Sequence, residues 1–195
     1  MKTIDTICQV IEENFTSLTN LEYEILKEHS YIKEYKKNEI IFNEHSSPKT
    51  IFFVLDGSAR LFYNVHGKDR TAYFYTKGNF IFTGRSLRHE VLTNENLQAL
   101  EQTTLLCISK PMSEKLFQYC PKFEHIARIG AEDELIARRK LIASLISLDA
   151  KERYLDFMKN NKTLFLKIPQ KYIASYLGVS PETLSRIRNK VAAAS

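Results

Sequence analysis

The spacing of apolar residues changes along the chain and divides it into successive segments. In residues 1–30 apolar positions recur every three or four residues, which predicts helices. Residues 31–109 consist of short runs rich in β-branched and aromatic residues, separated by turn residues, and such runs predict β-strands. From residue 121 to about residue 147 the spacing is helical again, without an internal proline.

The central segment has the pattern of an antiparallel β-sheet protein. Turn signals separate the β-rich runs about every ten residues, which favours a sandwich or barrel. Asp56-Gly57 lies between two such runs and predicts a β-hairpin, because both residue types tolerate positive φ. The polar stretch 85–94 interrupts the pattern. The predicted strands are residues 39–42, 50–55, 58–64, 71–75, 96–100 and 104–108.

The helical stretch that begins at residue 121 is about twice as long as an average globular helix. Its apolar side chains lie on more than one face, so the helix requires two partners, and we expect one of them to be a second subunit. A long helix that packs only within its own subunit is the alternative. The residues expected at the contact with a second copy are Ile129, Ile136, Ala143 and Ile146.

Residues 168–191 satisfy the steric requirements of a helix-turn-helix. Gln170 opens the first predicted helix, and Gly178 supplies a turn residue that accepts positive φ. Ser180 can cap the second helix, and Pro181 stands at its first position, where a missing N–H costs nothing. Small or apolar residues occupy the positions at which the two helices would meet: Ile173, Ala174, Leu177, Val179, Leu184 and Ile187.

The outer face of the second predicted helix carries side chains that can read base edges in DNA. An arginine can form paired hydrogen bonds with guanine, and a glutamate can accept one from cytosine. Residues at i, i+3, i+4 and i+7 share a face, so the base-reading candidates are Glu182, Ser185, Arg186 and Asn189. The expected phosphate contacts are Lys171, Ser180, Thr183, Arg188 and Lys190. An amphipathic helical hairpin with a solvated charged face is the alternative.

The distribution of charge supports the DNA-binding interpretation. The 195-residue chain has a net charge of +5, yet residues 1–148 contain 19 basic and 19 acidic residues. Residues 149–195 contain nine Lys and Arg against four Asp and Glu, so the whole excess lies in the segment with the predicted helix-turn-helix. A basic module beside a neutral one is typical of proteins that bind a polyanion. A C-terminal segment that is basic without such a partner is the alternative.

Four sequence runs together resemble the Crp/Fnr family of transcription regulators. YKKNEIIFNEHSSPKTIFFVLDGSARLFY is similar to the opening strands of that family's cyclic-nucleotide-binding-type β-roll, and LQALEQTTLLCISKPMSEKLF to its closing strands and following helix. IARRKLIASLISLDAKERYLDFM resembles the end of the dimer helix and the first helix of the DNA-binding domain. Residues 182–186 match the family's E-x-x-S-R recognition pattern.

The resemblance implies an α+β fold in three parts. Residues 1–120 would form an antiparallel, jelly-roll-like β-roll sensor domain, residues 121–148 a long dimerisation helix, and residues 149–195 a winged-type helix-turn-helix domain. LFLKIPQ, residues 164–170, would belong to a small sheet beside the helix pair. We expect a DNA-binding module of the shorter kind, without a further β-hairpin, and a hinge near residues 147–149.

The predicted effector pocket departs from the family pattern. Members that bind cyclic AMP carry a Gly-Glu pair for the ribose and, further along, an Arg-Ser pair for the cyclic phosphate, whereas this chain has Phe82-Thr83 and Thr93-Asn94 there. We therefore expect that cyclic AMP is not a tight ligand, and we predict no cofactor. Arg85 or Arg88 could meet an anionic effector, although solvated loop arginines are the alternative. The pocket candidates are Phe82, Thr83, Arg85, Arg88, Thr93 and Asn94.

The other sensor chemistries of the family lack their ligands. An iron–sulfur cluster needs four thiolates, and Cys8, Cys107 and Cys120 are too few and too scattered, so we interpret them as buried small hydrophobes. His89 is the one candidate for a haem ligand, and no metal site is predicted. The remaining histidines are expected at the surface or in interfaces: His29, His45, His66 and His125.

The sequence as a whole predicts a sequence-specific transcription regulator that binds an inverted-repeat operator as a homodimer. Its expected partners are double-stranded DNA and a second copy, with RNA polymerase as a further candidate. No apolar run has the length of a membrane helix, and acidic residues interrupt the N-terminal apolar stretch, so we expect no membrane, no signal peptide and a cytoplasmic location.

Two other classes of function compete with this interpretation. One is a ligand-binding or protein-interaction β-roll whose C-terminal helices merely pack and do not bind DNA. The other is an enzyme. The predicted strands lack the clustered His and Glu of a cupin metal enzyme, and no nucleophile–base pair or phosphate loop is recognisable, so we do not expect an enzyme.

Overall fold

The computed structural model describes residues 4–83, 87, 89 and 91–193, apart from the side chains of residues 4–6, 8 and 163. Its strands are β1 (Tyr31–Tyr35), β2 (Ile40–Phe42), β3 (Thr50–Asp56), β4 (Ser58–Val65), β5 (Lys68–Thr76), β6 (Phe80–Phe82), β7 (Asn96–Ala99) and β8 (Thr103–Ser109). Its helices are α1 (Ile4–Asn14), α2 (Asn20–Glu28), α3 (Lys110–Tyr119), α4 (Pro121–Ser147), α5 (Ala150–Asn160), α6 (Lys162–Lys167), α7 (Gln170–Tyr176) and α8 (Pro181–Ala192). The predicted α+β class is confirmed.

The strands form two four-stranded antiparallel sheets that face each other. Sheet A has the order β1-β8-β3-β6, and sheet B has the order β2-β7-β4-β5. Side chains from both sheets fill the space between them, among them Val54 and Leu105 from sheet A and Leu61 and Leu97 from sheet B. Helices α1 to α4 cover the other face of sheet A. Strands β3 and β8 are therefore buried on both faces, which explains their continuous apolar runs.

All six predicted strands are present, and two further strands were not predicted. Strand β1 lies at an edge of sheet A, and four of its five residues are exposed, so it lacks the apolar alternation that identifies a half-buried strand. Strand β6 has only three residues and pairs with β3 along Ile51, Phe52 and Phe53. Both strands depend on neighbours that are distant in sequence, so local patterns do not reveal them.

The predicted hairpin at Asp56-Gly57 is wrong. Strand β3 already has β8 and β6 as its two neighbours, so β4 has no free edge on which to pair and instead enters sheet B. Gly57 has the expected positive φ of 86°, but it makes the corner between the two sheets. The hairpin in this region joins β4 to β5 through His66 and Gly67, which have φ values of 52° and 75°.

Helix α4 spans 27 residues and has the two-sided character that the sequence predicts. Phe123, Ile126 and Gly130 are buried on the side that faces sheet A. A Cβ atom on Gly130 would overlap with Cδ2 of Phe80, so the glycine permits a close approach of the helix to β6. Away from this side the apolar residues are solvent-accessible: Leu135, Ile136, Ile142, Leu145 and Ile146.

The helices after α4 pack together in one buried cluster that also includes Phe74 and Leu100 of the β-sheet region, and the predicted small sheet is absent from their described residues. Residues 162–167 form helix α6, and the described residues from 149 to 193 contain no strand, so a β wing is not found among them. Leu164 and Ile168 are buried, whereas Leu166 is 84% exposed. Burial at i and i+4 with exposure at i+2 is the pattern of a helix, so the expectation of a strand there is wrong.

Candidate nucleic-acid interface

Helices α7 and α8 form the predicted pair, joined by residues 177–180. Helix α7 ends in a glycine-based cap in which the N–H of Gly178 donates to the carbonyl of Ser175 at 3.1 Å, and the N–H of Val179 donates to that of Ala174 at 3.0 Å. Gly178 has a φ of 71°, which a residue with a Cβ atom adopts only at a cost. The turn therefore has the positive φ at Gly178 that the sequence predicts.

The start of α8 is held by its cap. Ser180 has extended backbone angles, and its Oγ accepts a hydrogen bond from the backbone N–H of Thr183 at 3.2 Å. Pro181 occupies the first helical position. The inner side of the pair is packed, because Ile173, Ala174, Leu177 and Leu184 are buried in one cluster, with Val179 and Ile187 partly buried against it.

The four predicted base-reading residues lie on the solvent side of α8. Glu182, Ser185, Arg186 and Asn189 are all exposed, and none is covered by another part of the described chain. Hydrogen bonds, of which that from the Ser180 side chain has the largest effect, hold the pKa of Glu182 below its ordinary value. This carboxylate is therefore ionised at neutral pH. Nη2 of Arg186 donates to Oγ1 of Thr183 at 3.3 Å, and this bond orients the guanidinium along the helix.

The predicted phosphate contacts divide into two groups. Lys171, Arg188 and Lys190 are exposed, and their charges are available to a polyanion. Ser180 and Thr183 instead use their hydroxyl groups within the helix cap, where Oγ of Ser180 lies 3.2 Å from Oγ1 of Thr183. A phosphate contact by either hydroxyl would have to be made in addition to this cap, or at its expense.

Arg153 on α5 holds segments of the helical unit together, a role that the sequence does not reveal. Its Nε donates to the carbonyl of Leu177 at 3.0 Å, and its Nη1 donates to the carbonyl of Leu148 at 2.6 Å. One side chain therefore joins the end of α7 to the segment between α4 and α5. Both acceptors are backbone groups, and no residue type in the sequence identifies such partners.

The described candidates for the effector pocket lie near the connection between β2 and β3. Thr83 is buried, and its Oγ1 donates to the carbonyl of Pro48 at 2.8 Å. The N–H of Thr93 donates to the carbonyl of Ser46 at 2.9 Å, so the structure brings Thr83 and Thr93 to the same connection. Phe82 is partly buried and Asn94 is exposed. Arg85 and Arg88 lie outside the described residues.

Isothermal titration calorimetry should detect no tight binding of cyclic AMP. The hydroxyl of Thr83, which the sequence resemblance aligns with the ribose-binding carboxylate of the family, donates to a backbone carbonyl, and side chains of both sheets fill the interior of the roll. A cyclic nucleotide would have to leave much of its polar surface unpaired there, which weakens binding. A dissociation constant in the micromolar range or below would contradict this prediction.

The described cysteines are buried, and one histidine departs from expectation. Cys107 and Cys120 are free thiols in the core, and burial raises the pKa of Cys107 to about 11. The side chain of Cys8 lies outside the described part. His45, His66, His89 and His125 are exposed. His29 does not lie at the surface: it is buried, with Nδ1 2.9 Å from the carbonyl of Ile25.

Within the described ranges, no group of three or more His, Cys, Asp or Glu side chains lies close enough to hold a metal ion. Among the described helices, none combines the length and the apolar character that crossing a membrane requires.

The β-sheet region matches a known protein family. Residues 32–120 match the family described as cyclic nucleotide-binding domain. This range contains strands β2 to β8 and helix α3, and most of β1. No curated protein sequence matches the chain.

Solved structures of low sequence identity share the fold over most of the chain. The c-di-GMP responsive global regulator CLP of Xanthomonas campestris is 18% identical, with 90% of this chain and 92% of that chain covered at a TM-score of 0.74. FixK2 from Bradyrhizobium japonicum is 19% identical, with 84% of this chain and 85% of that chain covered at a TM-score of 0.72. A CooA mutant from Carboxydothermus hydrogenoformans is 21% identical, with 94% of this chain and 83% of that chain covered at a TM-score of 0.70.

Proposed function

Since residues 32–120 match the cyclic nucleotide-binding domain family and the chain shares the fold of Crp/Fnr-type regulators, we propose that this protein is a sequence-specific DNA-binding transcription regulator. It acts as a homodimer on an inverted-repeat operator, and its effector pocket is degenerate. The observation that carries the proposal is the exposed face of α8, which presents Glu182, Ser185, Arg186 and Asn189 together on a capped helix.

The geometry of the helix pair supports direct readout in the major groove. The groove admits an α-helix, and an arginine–glutamate pair on such a helix can distinguish G·C from A·T pairs. Lys171, Arg188 and Lys190 add exposed positive charge around this face, which supplies the non-specific part of the affinity. In this proposal α8 is the recognition helix in the major groove, and α7 supports it and crosses the DNA backbone.

The exposed apolar face of α4 supports the homodimer. Ile136 is 49% exposed and Ile146 is 81% exposed, and both are predicted to contact a second copy. Ala143 is also exposed between them, whereas Ile129 is partly buried. An apolar stripe of this length on one helix is stabilised by pairing with the same stripe of a second chain, which is a symmetric contact.

Selection from a random duplex library with the purified protein tests the proposal directly. We expect an enriched inverted repeat with half-sites about ten base pairs apart, because a dimer places its recognition helices in successive major grooves. Failure to enrich any motif, both alone and with cell-extract metabolites added, would favour a ligand-binding or protein-interaction module. Enrichment only with the metabolites would indicate a regulator that requires an effector.

Two substitutions on α8 should have different signatures on the selected site. Arg186→Ala should cost about 1–3 kcal/mol of binding free energy and relax the preference at the guanine it reads. Lys190→Ala should weaken selected and random DNA alike and reduce the salt slope by about one. Fluorescence anisotropy at several salt concentrations measures both. Equal losses on selected and random DNA for Arg186→Ala would assign this arginine to the DNA backbone.

A further inference from the structure

The outer face of sheet B is covered by the C-terminal helices. Phe74 of β5 and the adjacent Leu100 belong to the same buried cluster as Tyr154, Phe157 and Tyr172. The ring centroids of Phe74 and Tyr176 lie 5.1 Å apart. We call the part of this face formed by Arg60, Thr71 and Phe74 the docking platform. The helices that carry the proposed recognition surface are therefore held on their own β-roll.

Arg60 of β4 is the polar centre of the docking platform. Its side chain is only 2% exposed, which is rare for an arginine. Nε donates to Oε1 of Gln98 at 2.9 Å, Nη1 donates to Oγ1 of Thr71 at 3.2 Å, and Nη2 donates to a carboxylate oxygen of Asp69. All three acceptors belong to the β-roll, so the roll by itself fixes the plane and direction of the guanidinium.

Two aromatic rings from different units lie against this guanidinium. Its Cζ lies 4.1 Å from the ring centroid of Phe62, which also belongs to β4. Cζ also lies 3.6 Å from the ring centroid of Tyr172 on α7. Stacking of this kind depends on orientation, because a guanidinium is planar and a ring attracts a cation through its face. Arg60 therefore constrains the angle of α7 as well as its position.

A second contact with α7 lies beside a β-bulge in β5. Leu61 pairs with Tyr73 and Phe62 pairs with Thr71, so Ala72 is an extra residue on β5. The backbone N–H of Thr71 donates to Oγ of Ser175 on α7 at 2.9 Å. Strand β5 is the edge of sheet B, and α7 is thus hydrogen-bonded to a strand edge as well as stacked on it.

The docking platform fixes α7 and leaves the exposed face of α8 uncovered. Helix α8 follows α7 rigidly, because Ile173 and Leu184 are buried in the core between them. On the basis of the proposed function, we propose that Arg60 is a positioning residue. Through Tyr172, it sets the orientation of each recognition helix relative to the β-roll, and thereby the operator spacing that the dimer accepts.

A buried arginine at this position contributes orientation rather than stability. Replacement of both members of a buried charged pair by apolar residues is often neutral, whereas removal of one member is costly when the other stays buried. The Asp69 side chain is 44% exposed, so water can hydrate its carboxylate once Arg60 is replaced. A purely apolar contact, by contrast, tolerates rotation of α7 on the sheet. Replacement of Arg60 by methionine, which has a similar length, should therefore retain the fold but permit several orientations of α7.

The test measures affinity for a half-site and for full operators whose spacers differ by single base pairs. For the unmodified protein we expect the affinity for one spacing to exceed that for the others by roughly tenfold or more. Coupling between two binding sites typically changes an affinity by about 5–150-fold. Arg60→Met should reduce this preference to about threefold or less, with half-site affinity unchanged within about twofold, because the half-site contact does not involve the platform.

Arg70→Met is the matched control, since Arg70 is an exposed arginine on β5 and lies outside the platform and the recognition face. It should retain the preference of the unmodified protein. An unchanged spacing preference in Arg60→Met would overturn the positioning role and leave the proposed function intact. Absence of any spacing-dependent binding by the unmodified protein would instead count against the proposed function, and with it the positioning role.

Substitutions of Tyr172 keep the inference testable if Arg60→Met fails to fold. Tyr172→Phe keeps the ring on the guanidinium and should keep the spacing preference, whereas Tyr172→Leu should lose it. If the arginine variant does fold, Arg60→Met combined with Tyr172→Leu should relax the preference no further than either change alone, because both remove the same contact. Equal behaviour of Tyr172→Phe and Tyr172→Leu, or additive effects in the double variant, would overturn the proposal.

Discussion

Replacement of both Ile136 and Ile146 by glutamate is expected to convert the proposed homodimer into monomers at micromolar concentration. These residues are 49% and 81% exposed in the single chain, so the substitutions leave its own core intact. A symmetric contact contains each residue twice. The loss of four isoleucine side chains from it should cost about 4 kcal/mol of association free energy or more, which is about a thousandfold. Sedimentation equilibrium measures this dissociation constant.

Leu21→Glu is the control for this experiment. Leu21 on α2 is 71% exposed and lies outside the proposed contact, so its replacement should leave the monomer–dimer equilibrium unchanged. On DNA, the α4 double variant should lose affinity for a full operator while keeping that for a half-site. A dissociation constant unaffected by the double substitution would show that the dimer, if one forms, uses another surface.

Gly57→Ala should lower the free energy of unfolding by about 4 kcal/mol, since a strained φ and an overfilled site each cost about 1–3 kcal/mol. The residue has a φ of 86°, and an added Cβ would lie 2.5 Å from the backbone oxygen of Gln102 and 2.8 Å from Cα of Thr103. Both atoms belong to the backbone of a buried corner and cannot move aside as a flexible side chain would. Urea denaturation followed by circular dichroism measures the loss.

Gly67→Ala separates the two causes of this destabilisation. Gly67 has a φ of 75°, but nothing lies within 4 Å of an added Cβ. Its replacement should therefore cost only the conformational part, about 1 kcal/mol. If both alanine variants lost the same free energy, the close approach of the corner to residues 102 and 103 would contribute nothing to stability.

The helix pair was predictable because its determinants are contiguous. Ser180, Pro181 and Gly178 act on backbone groups within four residues of themselves, so cap and turn chemistry identifies them in the sequence. The exposed face of α8 follows from helical periodicity in the same way. Roles toward DNA stay predictions, since they concern a partner and not a local conformation.

The incorrect predictions share a physical cause. Asp56-Gly57 has the local chemistry of a hairpin, but the pairing of β3 with β8 and β6 leaves no edge for β4. LFLKIPQ is too short for periodicity to separate strand from helix, and the burial of Leu164 and Ile168 in a common core decides the outcome. In both cases contacts with distant residues override a local preference.

The sequence by itself determined the β-rich centre, the long helix α4, and the cap, turn and exposed face of the terminal helix pair. Each of these depends on interactions within a few residues or on a periodic pattern of burial. Only the tertiary structure decided which sheet receives β4 and where the C-terminal helices rest. It also placed Arg60 against Tyr172, although 111 residues separate them in the sequence. Packing of elements that are distant along the chain creates such contacts, and no local rule of sequence specifies them.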